Sequence, residues 1–577
     1  MNKKSIFIFL VILLIAAFLR IYKIAEIPPG INRDEGSIGY TAYSLLKTGR
    51  DEHGRAFPVS FKSFGDWKLP FYIYTVVPFV SLFGLSELSV RLPSALFGVL
   101  TVVATYFLVN ELFKKWEVRG GKLDNDVGNE KRNLTSNFKN LASHIALLTS
   151  FLLAVSPWHL HLSRVESESN TAVFFVTLGT LLFLKSIKKS SWLIIPSMIC
   201  FAITYFIYAG NHVFTTLLVI GIAVIYRSTI RKNKWVVFGA IIFVFLSGFI
   251  FYHTFFEASK TKLSGIGIFG DPSVVHAKIE TPRNEHDNPN SLFTRLVHNR
   301  IIFGVERFGQ NYLNSFSPQF LFIKGGDNKA HNIANFGNMY LIEAPFLVLG
   351  LIFLIVTKKT KEIMLILLWF FTAPIAASIT KDAPHTNRMF AIFPMLSLVT
   401  ALGLTKFIDM LNTWFKNKLL YKNSVLLIIF ALFIINMLVY MDRYFVHFPH
   451  NEAQSWGIGY KALVDVIFQE KYASKEVIMS HPEYSHYIFL LFYNKYDPLK
   501  YQNTALRYLP TDDGFVHVKS FDRFEFRSID WKEDIKISNR LLIGNPSNIP
   551  EFVKNSFPSQ NISLPNGETM FTVVQTR

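Results

Sequence analysis

The sequence predicts a polytopic α-helical membrane protein that crosses the bilayer about eleven times and carries a soluble α/β domain at its C-terminus. Three observations lead there. Half of the 577 residues are hydrophobic. They fall in continuous blocks of about 16 to 24 residues, and a helix needs about 20 apolar residues to cross the hydrocarbon core. After residue 441 the blocks give way to strand-length runs separated by amphipathic stretches.

The expected spans are 5–22, 91–113, 141–160, 170–187, 191–209, 211–227, 235–255, 341–357, 362–380, 388–408 and 423–441. The first has the basic and apolar parts of a signal peptide but no small-x-small cleavage site, so it reads as an uncleaved span. Lys3 and Lys4 place the N-terminus in the cytoplasm. Five consecutive inside loops are then basic, among them those with Lys114 and Lys115, Lys188 and Lys189, and Lys358 and Lys359, as the positive-inside bias requires. The block 69–84 is apolar but only about 16 residues long, and it contains Pro70 and Pro78. If it crossed, every later basic loop would move outside, so it is placed in the outer interface.

This topology defines a membrane domain, 1–441, with outer loops 23–90 and 256–340, and an extracytoplasmic domain, 442–577. Within the tail, EVIMSH, HYIFLLFY, FVHVKSF and RLLIGN read as strands and YKALVDVIFQEKYA as a helix. The stretch 122–140 reads as a flexible polar loop on the cytoplasmic side. A formal charge of +18 would suggest nucleic acid in a soluble chain, but here the basic residues flank apolar blocks and no nucleic-acid partner is expected. The single cysteine, Cys200, excludes an internal disulfide and a cysteine metal site.

Ionisable residues next to a membrane are costly and mark functional candidates. They gather in the outer segments. Asp34 and Glu35 are adjacent carboxylates just beyond the first span, and Lys68 precedes the interfacial block. A carboxylate there can take a proton from an acceptor hydroxyl, and a lysine can hold a phosphate. The competing reading makes Asp34 a helix cap. Arg164, in SPWHLHLSRVESESN, either faces a lipid phosphate or pairs with Glu166 and Glu168. His331 lies on a glycine-rich loop with Asp327, where one histidine and one aspartate do not make a metal site. His385 and Arg388 mark the outer entrance of a late span, where an arginine can also simply snorkel.

Taken together, DEGSIGYTAYSLLKTG, GDWKLPFYIYTVVPFVSLFGLSELSVRLPSALFG, SPWHLHLSR, the GGD…H…G segment and TKDAPHTNR…P resemble the polyprenyl-phosphate-dependent glycosyltransferases of the protein O-mannosyltransferase and aminoarabinose-transferase (ArnT-like) superfamily. The resemblance covers about residues 1–440 and implies the multi-span type C glycosyltransferase fold. It implies Asp34 as general base and Glu35 as the acid that positions the acceptor. Lys68, Arg164, His331, His385 and Arg388 then contact donor phosphate and acceptor. A leucine between Lys68 and Pro70 departs from the aminoarabinose-transferase pattern. The long-loop extracytoplasmic domain of protein mannosyltransferases is missing. The implied partners are a polyprenyl-phosphate sugar donor, membrane lipids of a plasma membrane, and a protein, lipid or envelope-glycan acceptor. No metal is obligate, because a monophosphate carrier presents less charge than a diphosphate, although a divalent ion is compatible with the reaction. The alternative is a transporter or flippase of polyprenyl-linked sugars. Transporter sites sit near the midplane, often between inverted repeats. Here the polar clusters lie at the outer ends of spans and no repeat is evident.

Overall fold

The computed structural model describes residues 3–120, 141–258, 265–416, 418–511 and 515–577. The polar stretch 122–140 lies outside the described residues. The chain opens with helix α1 (Lys3–Ile21), and the first outer loop folds into α2 (Arg33–Thr48), a hairpin of β1 (Phe61–Ser63) and β2 (Asp66–Lys68), and α3 (Pro70–Phe83). Then follow α4 (Glu87–Gly120), α5 (Leu141–Val155), α6 (Pro157–Ser163) and α7 (Glu168–Lys188).

Every expected span forms an apolar helix, but not all at full length. Among the described residues, six are long and apolar enough to cross a membrane: α1, Glu87–Lys114 within α4, α7, Lys361–Ser378, Phe390–Trp414 and Leu419–Asn451. The pair α5–α6, bent by 59° before Pro157, makes a seventh if counted as one span. Four others, Ser191–Phe206, Gly210–Ile225, Val236–Tyr252 and Leu341–Val356, are shorter. A 16-residue helix is about 24 Å long against a core of about 30 Å. The eleven crossings read from sequence therefore rest on six or seven helices of spanning length and four short ones. Helices pack closely where a side chain is missing. A Cβ on Gly403, in Phe390–Trp414, would sit 1.8 Å from the Phe346 carbonyl of the neighbouring helix.

The tail contains a seven-stranded sheet. Its strands are β3 (Glu476–Met479), β4 (Leu506–Arg507), β5 (Val518–Phe521), β6 (Phe524–Phe526), β7 (Arg540–Gly544), β8 (Ser559–Ser563) and β9 (Thr569–Gln575). They are ordered β4-β5-β6-β3-β7-β9-β8, with β6, β3 and β7 parallel and the outer pairs antiparallel. One expected strand is a helix instead: HYIFLLFY forms Tyr487–Tyr493, buried from Tyr487 to Phe492. A short run that is apolar on every side does not reveal its own period, and burial between the sheet and α2 decided for helix.

Among the described residues, two of the four hydrophobic clusters are large and organise the fold. One joins α1, α4, α5, α7 and the later membrane helices. The other is shared: Ile38, Tyr40, Tyr72 and Val76 of the first outer loop pack with Leu490, Phe492, Phe521 and Leu541 of the tail. A Cβ on Gly39 would come within 2.6 Å of the Phe492 ring and 2.7 Å of Val90, so only glycine lets α2 wedge between α4 and the tail. The first loop and the tail are thus one hydrophobic unit resting on the membrane helices.

Candidate active site

The site begins with how α2 starts. Asn32 is its N-cap: the side chain accepts from the Glu35 N–H at 2.9 Å while the Glu35 carboxylate accepts from the Asn32 N–H at 3.3 Å. The cap is therefore Asn32 rather than Asp34, which leaves Asp34 on the first turn with its side chain 56% exposed.

The adjacent Glu35, turned about 100° around the helix, faces inward and is completely buried. Arg91 of α4 donates to it from Nε at 2.9 Å and from Nη2 at 2.8 Å, and the Glu166 N–H donates at 3.0 Å. Arg91 also donates to the carbonyls of Ile24, Pro28 and Gly30. Glu35, expected to position the acceptor, instead ties the loop after α1 to α4. A fully desolvated ion pair holds when every remaining donor and acceptor is satisfied, as these are.

Lys68 reaches Asp34 through the hairpin. Ser63 on β1 is pinned to α2 by a 2.6 Å bond between the hydroxyls of Ser37 and Ser63, and Phe61 pairs with Lys68 across the hairpin. The Val516 N–H of the tail donates to the Phe64 carbonyl at the turn. Lys68, with its side chain only 11% exposed, ends with Nζ 2.6 Å from Asp34 Oδ1. Lys68, Asp34 and Glu35 all act electrostatically on Glu166. Burial, then the neighbouring Glu168 charge, pushes the Glu166 carboxyl well above the usual range, and its Oε1 is buried without a hydrogen-bond partner.

The other wall comes from late in the chain. Arg388 donates from Nη1 to Thr380 Oγ1 at 2.8 Å and pairs with Asp382, whose other oxygen lies 3.7 Å from His385 Nε2. Burial would raise the Asp382 carboxyl, but the Arg388 charge and hydrogen bond hold it below its ordinary value. The His331 and His385 rings lie 5.1 Å apart. Asn332 joins their loops by accepting from the Gly326 N–H and the Thr386 hydroxyl. Asp34 and Arg388 both act electrostatically on His331, while Arg388, Glu168 and Asp382 act on Tyr208. A cavity of about 260 Å³ opens here, lined by Asp327, Asn332, Asp382 and His385 among others.

Asp34, Lys68, His331, His385 and Arg388 are thus brought together at one face. Arg164 is not among them. It is fully buried and donates to the carbonyls of Leu19 at 2.7 Å and Ile27 at 3.0 Å and to the Tyr444 hydroxyl at 3.3 Å. These three oxygens, rather than the Glu166 and Glu168 carboxylates, take its donors. Glu166, Glu168 and Asp382, which stand out in the sequence only as unusual polar residues of the outer segments, join the cluster, as does Tyr208, which sequence reasoning missed. Two carboxylates in a short outer loop were the available signal for the first two. Among the described residues no three His, Cys, Asp or Glu side chains stand where they could hold one metal ion.

Burial lowers His331 to about 3 and His385 to about 4, and it lowers His486 of the tail to about 4. Unfolding exposes them to take up protons near pH 6.5, so stability is full above that value and falls as pH drops toward 4. Glu166 works in the opposite sense, one group against three. The melting temperature of detergent-purified protein is therefore expected to fall steadily between pH 7 and pH 4.5, and a flat profile would contradict these buried neutral histidines.

The fold is that of the type C glycosyltransferases, with several helices long and apolar enough to cross a membrane. Two solved structures carry the likeness. ArnT from Cupriavidus metallidurans, bound to undecaprenyl phosphate, superposes with a TM-score of 0.55 at 12% identity, over 100% of this chain and 98% of that one. The archaeal oligosaccharyltransferase AglB from Archaeoglobus fulgidus, in complex with an inhibitory peptide and a dolichol-phosphate, gives a TM-score of 0.50 at 15% identity, over 85% of this chain and 64% of that one. No family model matches the sequence. No curated protein matches it either.

Proposed function

We propose that this protein is a membrane glycosyltransferase that moves a sugar from a polyprenyl-phosphate carrier to an acceptor on the extracytoplasmic side. The observation that carries the proposal is the exposed Asp34 carboxylate held 2.6 Å from the shielded Lys68 ammonium, at the same face as His331, His385 and Arg388. The shared fold with proteins seen bound to undecaprenyl phosphate and dolichol-phosphate supports a lipid-phosphate donor.

The chemistry follows from charge. The leaving lipid phosphate is already anionic, so its departure needs positive charge more than a proton donor. Lys68 moves from Asp34 to the phosphate, and Arg388, steadied by Asp382 and Thr380, supplies a second cation. Losing its ammonium partner leaves Asp34 available to take the proton of the acceptor nucleophile. The acceptor then attacks the anomeric carbon as the carbon–oxygen bond to phosphate breaks, and direct displacement inverts the centre. Glu35 holds the loop that presents Asp34. In this reading the N-terminus is cytoplasmic, and the tail 442–577 stands outside as an α/β domain built onto the first outer loop. The transferred sugar is a hexose or pentose, and the acceptor is a protein, a lipid or an envelope glycan.

The test is transfer from radiolabelled polyprenyl-phosphate sugars by purified protein, with envelope extract as acceptor. Label moving to the extract supports the proposal. No transfer from any of several donors, alongside intact lipid binding, would overturn it in favour of a carrier flippase. The cations have their own test. Lys68→Met and Arg388→Met are each expected to weaken binding of undecaprenyl phosphate by about tenfold or more, the loss of one charge-assisted hydrogen bond. Unchanged affinity in both variants would remove the phosphate clamp.

A further inference from the structure

Helix Arg300–Asn314, in the outer loop 256–340, is amphipathic with its sides reversed. At 100° per residue, Ile301, Ile302, Val305, Phe308, Tyr312 and Leu313 share about 140° of its circumference, and Arg300, Arg307, Gln310 and Asn311 take the opposite side. A helix on a soluble surface turns its apolar side to the protein. Here the polar side does so. Asn311 is buried and donates from Nδ2 to the carbonyls of Ser378 at 3.1 Å and Thr380 at 2.9 Å, and Arg307 donates to the Lys381 carbonyl at 3.2 Å. The apolar side is left open, with Ile301 77%, Val305 67% and Leu313 71% exposed. The short helix before it, Leu292–Val297, adds the exposed side chains of Leu292, Phe293 and Leu296.

This apolar side runs onto a membrane helix. The Tyr312 hydroxyl donates to the Phe371 carbonyl at 2.8 Å, and the Phe316 ring stacks on Phe370 with centroids 5.5 Å apart. Phe371 lies about 10 Å down the span Lys361–Ser378 from its end, at 1.5 Å per residue. Asn311 therefore holds the end of the span while Tyr312 and Phe316 reach down its flank, where Phe371 is itself exposed. Arg295 and Arg300 lie between the two apolar clusters, as cations do where a helix meets anionic head groups.

We infer that the two helices within 292–314 are inserted in the outer leaflet with their apolar side among the acyl chains, and that this contact sets the height of the 378–388 wall. An exposed apolar face this broad marks contact with a membrane or another protein. The level of Tyr312 and Phe316, beside a span, selects lipid, because a soluble partner has no access there. Through Asn311 the inserted helix holds the Ser378 and Thr380 carbonyls, and the Thr380 hydroxyl receives Arg388, the proposed phosphate cation. Insertion thus fixes Arg388 at the depth where a lipid phosphate lies. That coupling rests on the transferase reading; insertion itself does not.

Spin labelling of full-length protein in phosphatidylcholine–phosphatidylglycerol nanodiscs separates the two. Cys200, buried and the single cysteine, is first replaced by alanine. Nitroxides at Ile301→Cys, Val305→Cys and Leu313→Cys are expected to meet oxygen far more than the nickel chelate NiEDDA, and a nitroxide at Gln310→Cys to show the reverse. Equal or greater chelate contact at the three apolar sites would overturn insertion. Exclusion of both reagents, with dipolar broadening between labels, would also overturn it, in favour of a second copy on this face. Val305→Asp combined with Leu313→Asp is expected to weaken undecaprenyl-phosphate binding about tenfold in nanodiscs and little in detergent, where no leaflet fixes the height. An equal loss in both media, or none in either, would overturn the coupling. If wild type binds no undecaprenyl phosphate, the lipid-donor reading fails and the coupling with it, while the nitroxide accessibilities still decide insertion.

Discussion

Asp34→Asn is expected to lower kcat for sugar transfer by about 10²–10⁴-fold, the usual contribution of a positioned general base. The variant keeps the shape of the side chain and removes only its charge and basicity. Structure should not suffer. Asn32 caps α2, and an exposed carboxylate on the first turn contributes about 0.3–1 kcal/mol through the helix dipole. Expression, membrane insertion and melting temperature should stay near wild type. Donor affinity should hold or improve, because Lys68 no longer has a competing anion. Full activity in Asp34→Asn would remove Asp34 as the base, and a collapse in expression would mean that its pairing with Lys68 is structural.

Arg91→Ala is expected to be the most damaging single change for stability, about 3–5 kcal/mol, read as a large drop in melting temperature or a failure to accumulate in the membrane. It would strand the Glu35 carboxylate in a fully buried site and leave the carbonyls of Ile24, Pro28 and Gly30 without their donor. Glu35→Gln should cost less than this, because the amide keeps a hydrogen-bond acceptor and Arg91 keeps its three carbonyls. If Glu35→Gln instead left stability untouched and abolished transfer, Glu35 would be catalytic after all. The same comparison shows why two adjacent acids differ in kind: on a helix, neighbouring residues point about 100° apart, so one faces the core and one the solvent.

The membrane-spanning pattern was legible because it depends on composition along the chain. Lipid forces continuous apolar blocks, and their edges in the sequence match the observed helices closely. The site's residue types were also legible. Asp34, Lys68, His331, His385 and Arg388 stood out as ionisable groups at the outer ends of spans, and they do converge. Arg164 stood out for the same reason, but the structure turns it toward backbone carbonyls away from the others. A buried arginine bound to backbone carbonyls looks, in sequence, like an arginine at a membrane surface. Nothing along the chain records that the carbonyls of Leu19 and Ile27 lie within its reach. HYIFLLFY was misread because a run buried on all sides carries neither helical nor strand periodicity.

What the sequence determined by itself is the solvent of each segment: which stretches meet lipid, which meet water, and where costly charges are retained between the two. Those are properties of residues one at a time and of their neighbours in the chain. What only the tertiary structure decided is pairing. Glu35 belongs to Arg91 and Asp34 to Lys68, 56 and 34 residues away. The first outer loop shares its core with a tail more than 400 residues later, where the Tyr40 hydroxyl donates to the Tyr496 carbonyl. Hydrogen bonds and ion pairs act over about 3 Å, and a distance that short is set by the packing of whole helices rather than by spacing in the chain.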